Sequence, residues 1–226
     1  MPKVKVKICG ITNWADAKRA CDEGANFLGF NFYLQSPRYV SPARARQIVR
    51  RLPKRVAAVG VFVNETEEKV LGIARKVGLD FLQLHGEESP AVVRQLQRFS
   101  PVIKAIRVQG SIRVAQLMPF RHAAAILLDS FDRRRRGGTG RVFRWQIAKR
   151  AKEYGRIFLA GGLTPDNIAE AIRAAQPYAV DVCSGVEARP GKKDAARVAA
   201  LMRAVSAASR GELTTRTAKR LHRRRR

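Results

Sequence analysis

The feature that most constrains this chain is an alternation between two hydrophobic periods, repeated eight times. Short apolar runs rich in Val, Ile, Leu and Phe stand at 4–9, 27–32, 57–63, 81–85, 102–108, 124–129, 157–160 and 179–183. After each, at 13–23, 42–51, 65–77, 89–98, 111–117, 143–154, 165–175 and 194–208, apolar residues recur at helical spacing. Such runs have the composition of strands covered on both faces. Strict strand–helix alternation requires parallel strands joined by crossover helices. Local signals agree: Ser41 before Pro42, Asn64 before Glu65-Thr66 and Thr164 before Pro165 read as helix N-caps. Gly24 and Gly78 read as stops.

Eight units fit into about 208 residues, close to the roughly 250 typical of closed (β/α)8 barrels. No GxGxxG follows the first strand, which argues against an open dinucleotide-binding sheet. The expectation is an α/β fold, a single (β/α)8 TIM barrel over 1–208. Residues 209–226 form a polar, Arg-rich tail, expected to be disordered.

The formal net charge is +27, and the segment 210–226 holds eight Lys/Arg against one Glu, so the remainder still carries +20. Such a field favours anionic ligands: phosphorylated metabolites, acidic membrane surfaces or, through the tail, non-specific contact with nucleic acid. No aromatic-rich platform or nucleic-acid module accompanies the charge. No run approaches the roughly 20 apolar residues of a membrane span. The basic N-terminus has no apolar run or cleavage site, so a cytoplasmic protein is expected. Cys9, Cys21 and Cys183 show neither metal-ligand spacing nor a disulfide framework. With His85, His122 and His222 standing singly, no metal site is expected.

In a (β/α)8 barrel the active site lies at the C-terminal ends of the strands. Those ends collect Cys9-Gly10, Asn31, Asn64, His85-Gly86, Arg107, Asp129-Ser130, Gly161-Gly162 and Ser184-Gly185. Gly-bearing loops follow strands six (Gly137-Gly138-Thr139-Gly140), seven and eight. Backbone N–H groups of such loops cradle phosphate without side-chain obstruction. Asp129 is the one acid read at a strand end, and apolar Ile126-Leu127-Leu128 before it would raise its pKa toward the range of a general acid. Arg38, in Ser36-Pro37-Arg38-Tyr39, is suited to a bidentate clamp on a carboxylate. Cys9 and Asp129, on strands one and six, would open onto one mouth. A thiolate base facing a carboxylic acid suits proton transfer at carbon coupled to protonation of an oxygen.

These blocks are similar to a known family. Lys7-Ile8-Cys9-Gly10-Ile11-Thr12, Leu28-Gly29-Phe30-Asn31-Phe32 with Ser36-Pro37-Arg38, Gln83-Leu84-His85-Gly86, Leu127-Leu128-Asp129-Ser130, Leu159-Ala160-Gly161-Gly162-Leu163 and Ser184-Gly185-Val186-Glu187 resemble phosphoribosylanthranilate isomerases of tryptophan biosynthesis. The resemblance runs in order from Lys3 to about Ala208. It implies isomerisation of N-(5-phosphoribosyl)anthranilate to its 1-deoxyribulose isomer by an Amadori rearrangement, without a cofactor, in a monomer or homodimer. It implies Asp129 as the general acid that opens the furanose ring and Cys9 as the base that removes the C2′ proton. Arg38 would face the anthranilate carboxylate, and the backbone at Gly161-Gly162 and Ser184-Gly185 would hold the phosphate. His85 would shape the site. Lys7 or the substrate iminium would lower the Cys9 pKa.

Three departures stand out. Arg144 replaces an acid expected between Phe143 and Trp145, Arg133–Arg136 make the preceding loop unusually basic, and Cys183 stands where the family often has Ser. A related two-substrate isomerase shared with histidine biosynthesis typically uses two Asp residues, and the thiol at position 9 argues against it.

Overall fold

The computed structural model describes residues 4–108, 114–129 and 140–210. Eight parallel strands close into a barrel in chain order: β1 (Lys5–Cys9), β2 (Phe27–Asn31), β3 (Ala57–Phe62), β4 (Phe81–Leu84), β5 (Val102–Arg107), β6 (Ala125–Asp129), β7 (Ile157–Ala160) and β8 (Ala179–Val182). Closure joins the first and last strands of the barrel, Lys5 pairing with Ala179 and Ile8 with Val182. The crossovers are α1 (Trp14–Asp22), α2 (Pro42–Val49), α3 (Glu67–Val77), α4 (Pro90–Gln97), α5 (Gly140–Arg150) and α6 (Ile168–Ala175), with α7 (Ala195–Arg210) after β8.

The fifth crossover differs from the helix expected at 111–117. It is a 3₁₀ segment, Val114–Phe120, carrying Pro119 inside it; proline lacks the N–H that a regular α-helix would use. Residues 111–113 lie outside the described residues, as do Gly137–Thr139, the arginines at 133–136 and the chain beyond Arg210. The nucleic-acid contact expected of the tail falls there too, and no finding supports it.

Ser41 caps α2 by accepting from Arg44 N at 3.3 Å, and Gly78 ends α3 at φ +81°, as read. Asn64 is not a cap. Thr66 accepts from Lys69 N at 3.3 Å, while Asn64, at φ 51°, accepts from Glu87 N at 2.7 Å and so joins the β3 and β4 loops. Nor does Thr164 open α6 directly. Asn167 accepts from Thr164 N at 2.8 Å and donates to Gly162 O at 2.9 Å, bracing the loop before the helix begins at Ile168.

Each strand is covered on both sides, so its alternate residues enter two separate cores. Val6, Ile8, Leu28, Phe30, Ile126 and Leu128 pack outward against the helices. Phe27, Val59, Ile103, Leu127 and Phe158 point inward and plug the barrel. The Phe27 ring meets Phe81 and Phe158 edge-on at 5.7 and 5.3 Å between centroids, a favourable geometry for aromatic pairs. Above this plug the inward positions open into a cavity.

After β8 a short hairpin, β9 (Glu187–Arg189) and β10 (Lys192–Lys193), folds over the first loop. Lys193 N donates to Asp16 Oδ2 at 2.8 Å, and Thr12 Oγ1 donates to Gly191 O at 2.6 Å. Two charged strands of two and three residues carry no hydrophobic period, so no strand was expected there. Among the described residues, no helix is long and apolar enough to cross a membrane.

Candidate active site

Period-two alternation decides which side chains reach the mouth. Cys9, Asn31, Gln83, His85, Asp129, Asp181 and Cys183 line a cavity of about 200 Å³, together with Arg38, Gly161, Gly162 and Ser184. Cys9 and Asp129 therefore face one space, as the order of the strands implies.

Asp129 is not enclosed by its apolar neighbours. Ile126 and Leu128 turn outward to the helices, and the Asp129 side chain is 23% exposed with its Oδ2 at 3.3 Å from His85 Nε2. His85 Nδ1 in turn lies 3.0 Å from Gln83 Nε2. The ring thus bridges the Gln83 carboxamide and the Asp129 carboxyl. His85 therefore orients the carboxyl, beyond the shaping role read for it.

Asp129 is also not the one acid of the mouth. Asp181, one residue before the end of β8, accepts from Lys7 Nζ through both oxygens at 3.0 Å. Lys7 is fully buried inside the barrel. Burial opposes its charge, but the Asp181 carboxylate and the Cys9 thiol beside it hold the ammonium above its usual range. Burial pushes the Asp181 carboxyl up to about 6, against the pull of Lys7, with Cys9 adding to the rise.

Cys9 is set low by its surroundings. A hydrogen bond from the Cys183 thiol is the largest influence; burial opposes it, and the Lys7 and Lys193 ammonium groups add to the lowering. Cys183 moves the opposite way, held protonated by that same bond and by burial. Within the pair these influences favour the proton on Cys183 and the charge on Cys9.

Glu187 gathers the cations on this side. It accepts from Arg38 Nε and Nη2 at 2.7–3.1 Å, from Lys193 Nζ at 3.0 Å and from Gly191 N at 3.2 Å. Burial raises its carboxyl, but the bonds from Arg38 and Lys193 outweigh this and hold it below the usual range. The guanidinium expected to meet a ligand carboxylate is therefore already forked onto a protein carboxylate, while Arg38 still lines the cavity.

The Gly-bearing loops after β7 and β8 meet. Gly161 and Gly162 both hold positive φ, +89° and +63°, a backbone region that glycine enters without steric cost. A Cβ at Gly185 would strike the Leu163 carbonyl oxygen, so only glycine lets the two loops touch. Gly162, Ser184 and Gly185 also line an adjoining open cleft of about 890 Å³, bordered by Arg197. Among the described residues no three His, Cys, Asp or Glu side chains converge as a metal site.

Sequence reasoning missed Asp181, Gln83, Glu187 and Lys193. Counting back by two from Cys9 and Cys183 would have found Lys7 and Asp181 on the inner face. Glu187 closes the Ser184-Gly185-Val186-Glu187 block, but no local signal marks Lys193.

The comparisons with known proteins agree on one family. The family model for N-(5'phosphoribosyl)anthranilate (PRA) isomerase matches residues 6–204. The N-(5'-phosphoribosyl)anthranilate isomerase of Pelobacter propionicus is 48% identical over 211 residues, covering 93% of this chain and 99% of that protein. That of Citrifermentans bemidjiense is 50% identical over 198 residues, with 88% and 95% covered. The crystal structure of the Thermotoga maritima enzyme superposes at TM-score 0.83 with 43% identity, covering 90% of this chain and 98% of that one. A further solved structure, at TM-score 0.80 and 40% identity, is of monomers generated from the dimeric Thermotoga maritima enzyme. Another structure, at TM-score 0.81 and 41% identity over 90% of this chain and 98% of that one, holds reduced 1-(o-carboxyphenylamino)-1-deoxyribulose 5-phosphate. Eight parallel strands in this order, a thiol and a carboxyl facing one cavity and near-complete coverage by these relatives lead to one conclusion: the chain belongs to the phosphoribosylanthranilate isomerase family.

Proposed function

We propose that this protein converts N-(5'-phosphoribosyl)anthranilate to 1-(2-carboxyphenylamino)-1-deoxyribulose 5-phosphate in the tryptophan pathway, with Asp129 as general acid and Cys9 as general base. The observation that carries the reading is the placement of Cys9 and Asp129 in one cavity, beside Gly-bearing loops and within a chain that the family covers almost end to end. Asp129 gives a proton to the furanose ring oxygen, the C1′–O bond breaks and an iminium forms. With the His85 proton on Nε2, a neutral carboxyl can donate through Oδ1 while Oδ2 accepts from that N–H, which makes the His85 contact compatible with this step. The cationic nitrogen then acidifies C2′, and a moderate base suffices. The Cys9 thiolate takes that proton, and the enolamine tautomerises to the ketone. Arg38 meets the anthranilate carboxylate, held in place by Glu187. The Gly161-Gly162 and Ser184-Gly185 backbone takes the phosphate. The protein acts in the cytoplasm on a small phosphorylated substrate.

The test is direct: supply phosphoribosylanthranilate and follow the loss of its fluorescence. Cys9→Ser and Asp129→Asn should each lose about 10²–10⁴-fold in kcat while staying folded, the range general acid–base groups contribute. Full turnover by Cys9→Ser sinks the base assignment. Comparable turnover of the histidine-pathway aminoaldose sinks the substrate assignment.

A further inference from the structure

Cys183 is unused by the proposed reaction, yet it stands beside the proposed base. The β1–β8 register pairs Ile8 with Val182, so the next step along both strands sets Cys9 beside Cys183. Neighbouring strands lie about 4.8 Å apart, inside the roughly 4.4–6.8 Å that Cα atoms span across a disulfide. Both side chains point into the cavity and line it. A Cβ placed on Gly10 would lie only 3.0 Å from Cys183 Sγ and one placed on Gly29 only 2.7 Å from Cys9 Sγ, so both sulfurs sit tight against the neighbouring backbone. Cations surround the pair: Lys7 beneath, and Lys193, whose Nζ is 3.9 Å from Cys183 Sγ.

We propose that Cys9 and Cys183 form a peroxide-sensitive pair: a hydroperoxide oxidises Cys9, and Cys183 then closes a reversible disulfide that takes the base out of action. The loss of activity rests on Cys9 being that base; the disulfide itself does not. In the first step the Cys9 thiolate attacks the terminal peroxide oxygen, the O–O bond breaks, and ROH leaves after taking a proton from solvent. Sulfur loses two electrons and becomes a sulfenic acid. In the second step Cys183 sulfur attacks Cys9 sulfur and the S–O bond breaks; hydroxide leaves with the Cys183 proton as water. Two thiols and one hydroperoxide give one disulfide, one alcohol and one water.

The environment favours this order. Cys9 carries the negative charge first, because Cys183 donates to it. Once Cys9 is a neutral sulfenic acid, the charge that kept Cys183 protonated is gone. Lys193 and Arg38, which both act to lower the Cys183 thiol, then favour its thiolate when it must attack. Cys21 is a built-in control: it is buried on α1, and burial pushes its thiol up.

The experiment treats the full-length protein with hydrogen peroxide, alkylates remaining free thiols, and maps peptides by mass spectrometry alongside activity. The expected result is a linked Cys9–Cys183 peptide, alkylated Cys21, and at least tenfold loss of activity regained on adding dithiothreitol. Cys183→Ser should give no linked peptide, and its Cys9 should advance to sulfinic acid that dithiothreitol does not restore. Wild-type Cys9 oxidised with Cys183 still alkylatable, or a linkage between two chains, overturns the proposal without any variant. A linked peptide with activity intact overturns the switch and the base assignment together, while the pairing stands.

Discussion

Arg38 and Glu187 form a two-pronged ion pair across 149 positions of chain, Nε at 3.0 and 3.1 Å and Nη2 at 2.7 Å from the carboxylate. Glu187 sits at the start of the hairpin that follows β8, and Arg38 follows β2, so the pair locks two loops over the mouth. Glu187→Gln leaves Arg38 and the buried Lys193 without their counter-charge. We expect KM for phosphoribosylanthranilate to rise at least tenfold with a smaller change in kcat. Stability should fall by about 2–4 kcal/mol, the lower part of the range allowing for the partial exposure of Arg38. Steady-state kinetics with a urea melt checks both; an unchanged KM would show that Arg38 needs no orienting partner.

The thiol pair makes Cys9 reactive where an ordinary cysteine is not. A thiolate alkylates and a thiol does not, so the rate follows the thiolate fraction. An ordinary thiol slows about tenfold for each pH unit below its pKa. Because Cys9 is held low, its iodoacetamide rate should fall less steeply as the pH is lowered than that of Cys21, which is pushed up by burial. Peptide-resolved alkylation measures this, and parallel slopes for the two residues would contradict the arrangement.

The Lys7–Asp181 pair lies inside the barrel, so removing one partner strands the other. Lys7→Met should cost about 3–5 kcal/mol, and adding Asp181→Leu should recover most of it. The pH dependence has a definite sign. Asp181 is raised from 3.8 to about 6 in the folded protein, so folding favours its protonated form. Its contribution is complete below 3.8 and is lost as pH rises through about 6. Without Lys7 the ionised carboxyl is worse still. The deficit of Lys7→Met should therefore be smaller near pH 5 than near pH 8, as urea melts at the two pH values will read; a deficit larger near pH 5 would reverse the sign.

Gly10 and Gly29 leave the space the thiols occupy. At Gly29 a Cβ would come within 2.7 Å of Cys9 Sγ and 3.0 Å of Lys7 Nζ. At Gly10, φ is +77° and a Cβ would meet Arg38 Cδ at 2.8 Å. Gly29→Ala should displace Cys9 and lower kcat at least tenfold with about 1–3 kcal/mol of overpacking cost, checked by kinetics and thermal melting. Wild-type kcat in Gly29→Ala would show that the Cys9 position tolerates movement.

Much of this was legible in the residues. Eight short apolar runs gave the strand count and order because each strand, covered on both faces, must be apolar almost throughout. Gly78 and Ser41 marked ends because backbone geometry there is local. Asn64 misled, since two residues on either side of Glu65 could cap one helix and only the loop beside it chose Thr66. The 3₁₀ turn at Val114–Phe120 was missed because its apolar residues also fit helical spacing.

The site divides the same way. That Cys9 and Asp129 would share a mouth follows from strand order alone, because every strand of a parallel barrel ends on one side. What Cys9 meets there could not be read. Lys7 and Asp181 are 174 positions apart and touch only because β8 closes against β1, and the same closure brings Cys183 to Cys9. His85 reaches Asp129 across the mouth, and Glu187 reaches Arg38 through a hairpin without hydrophobic pattern. A sequence fixes which residues stand at strand ends through local periodicity. Which charges face each other, and so which proton Cys9 gives up and which partner holds it, is decided by closure of the barrel.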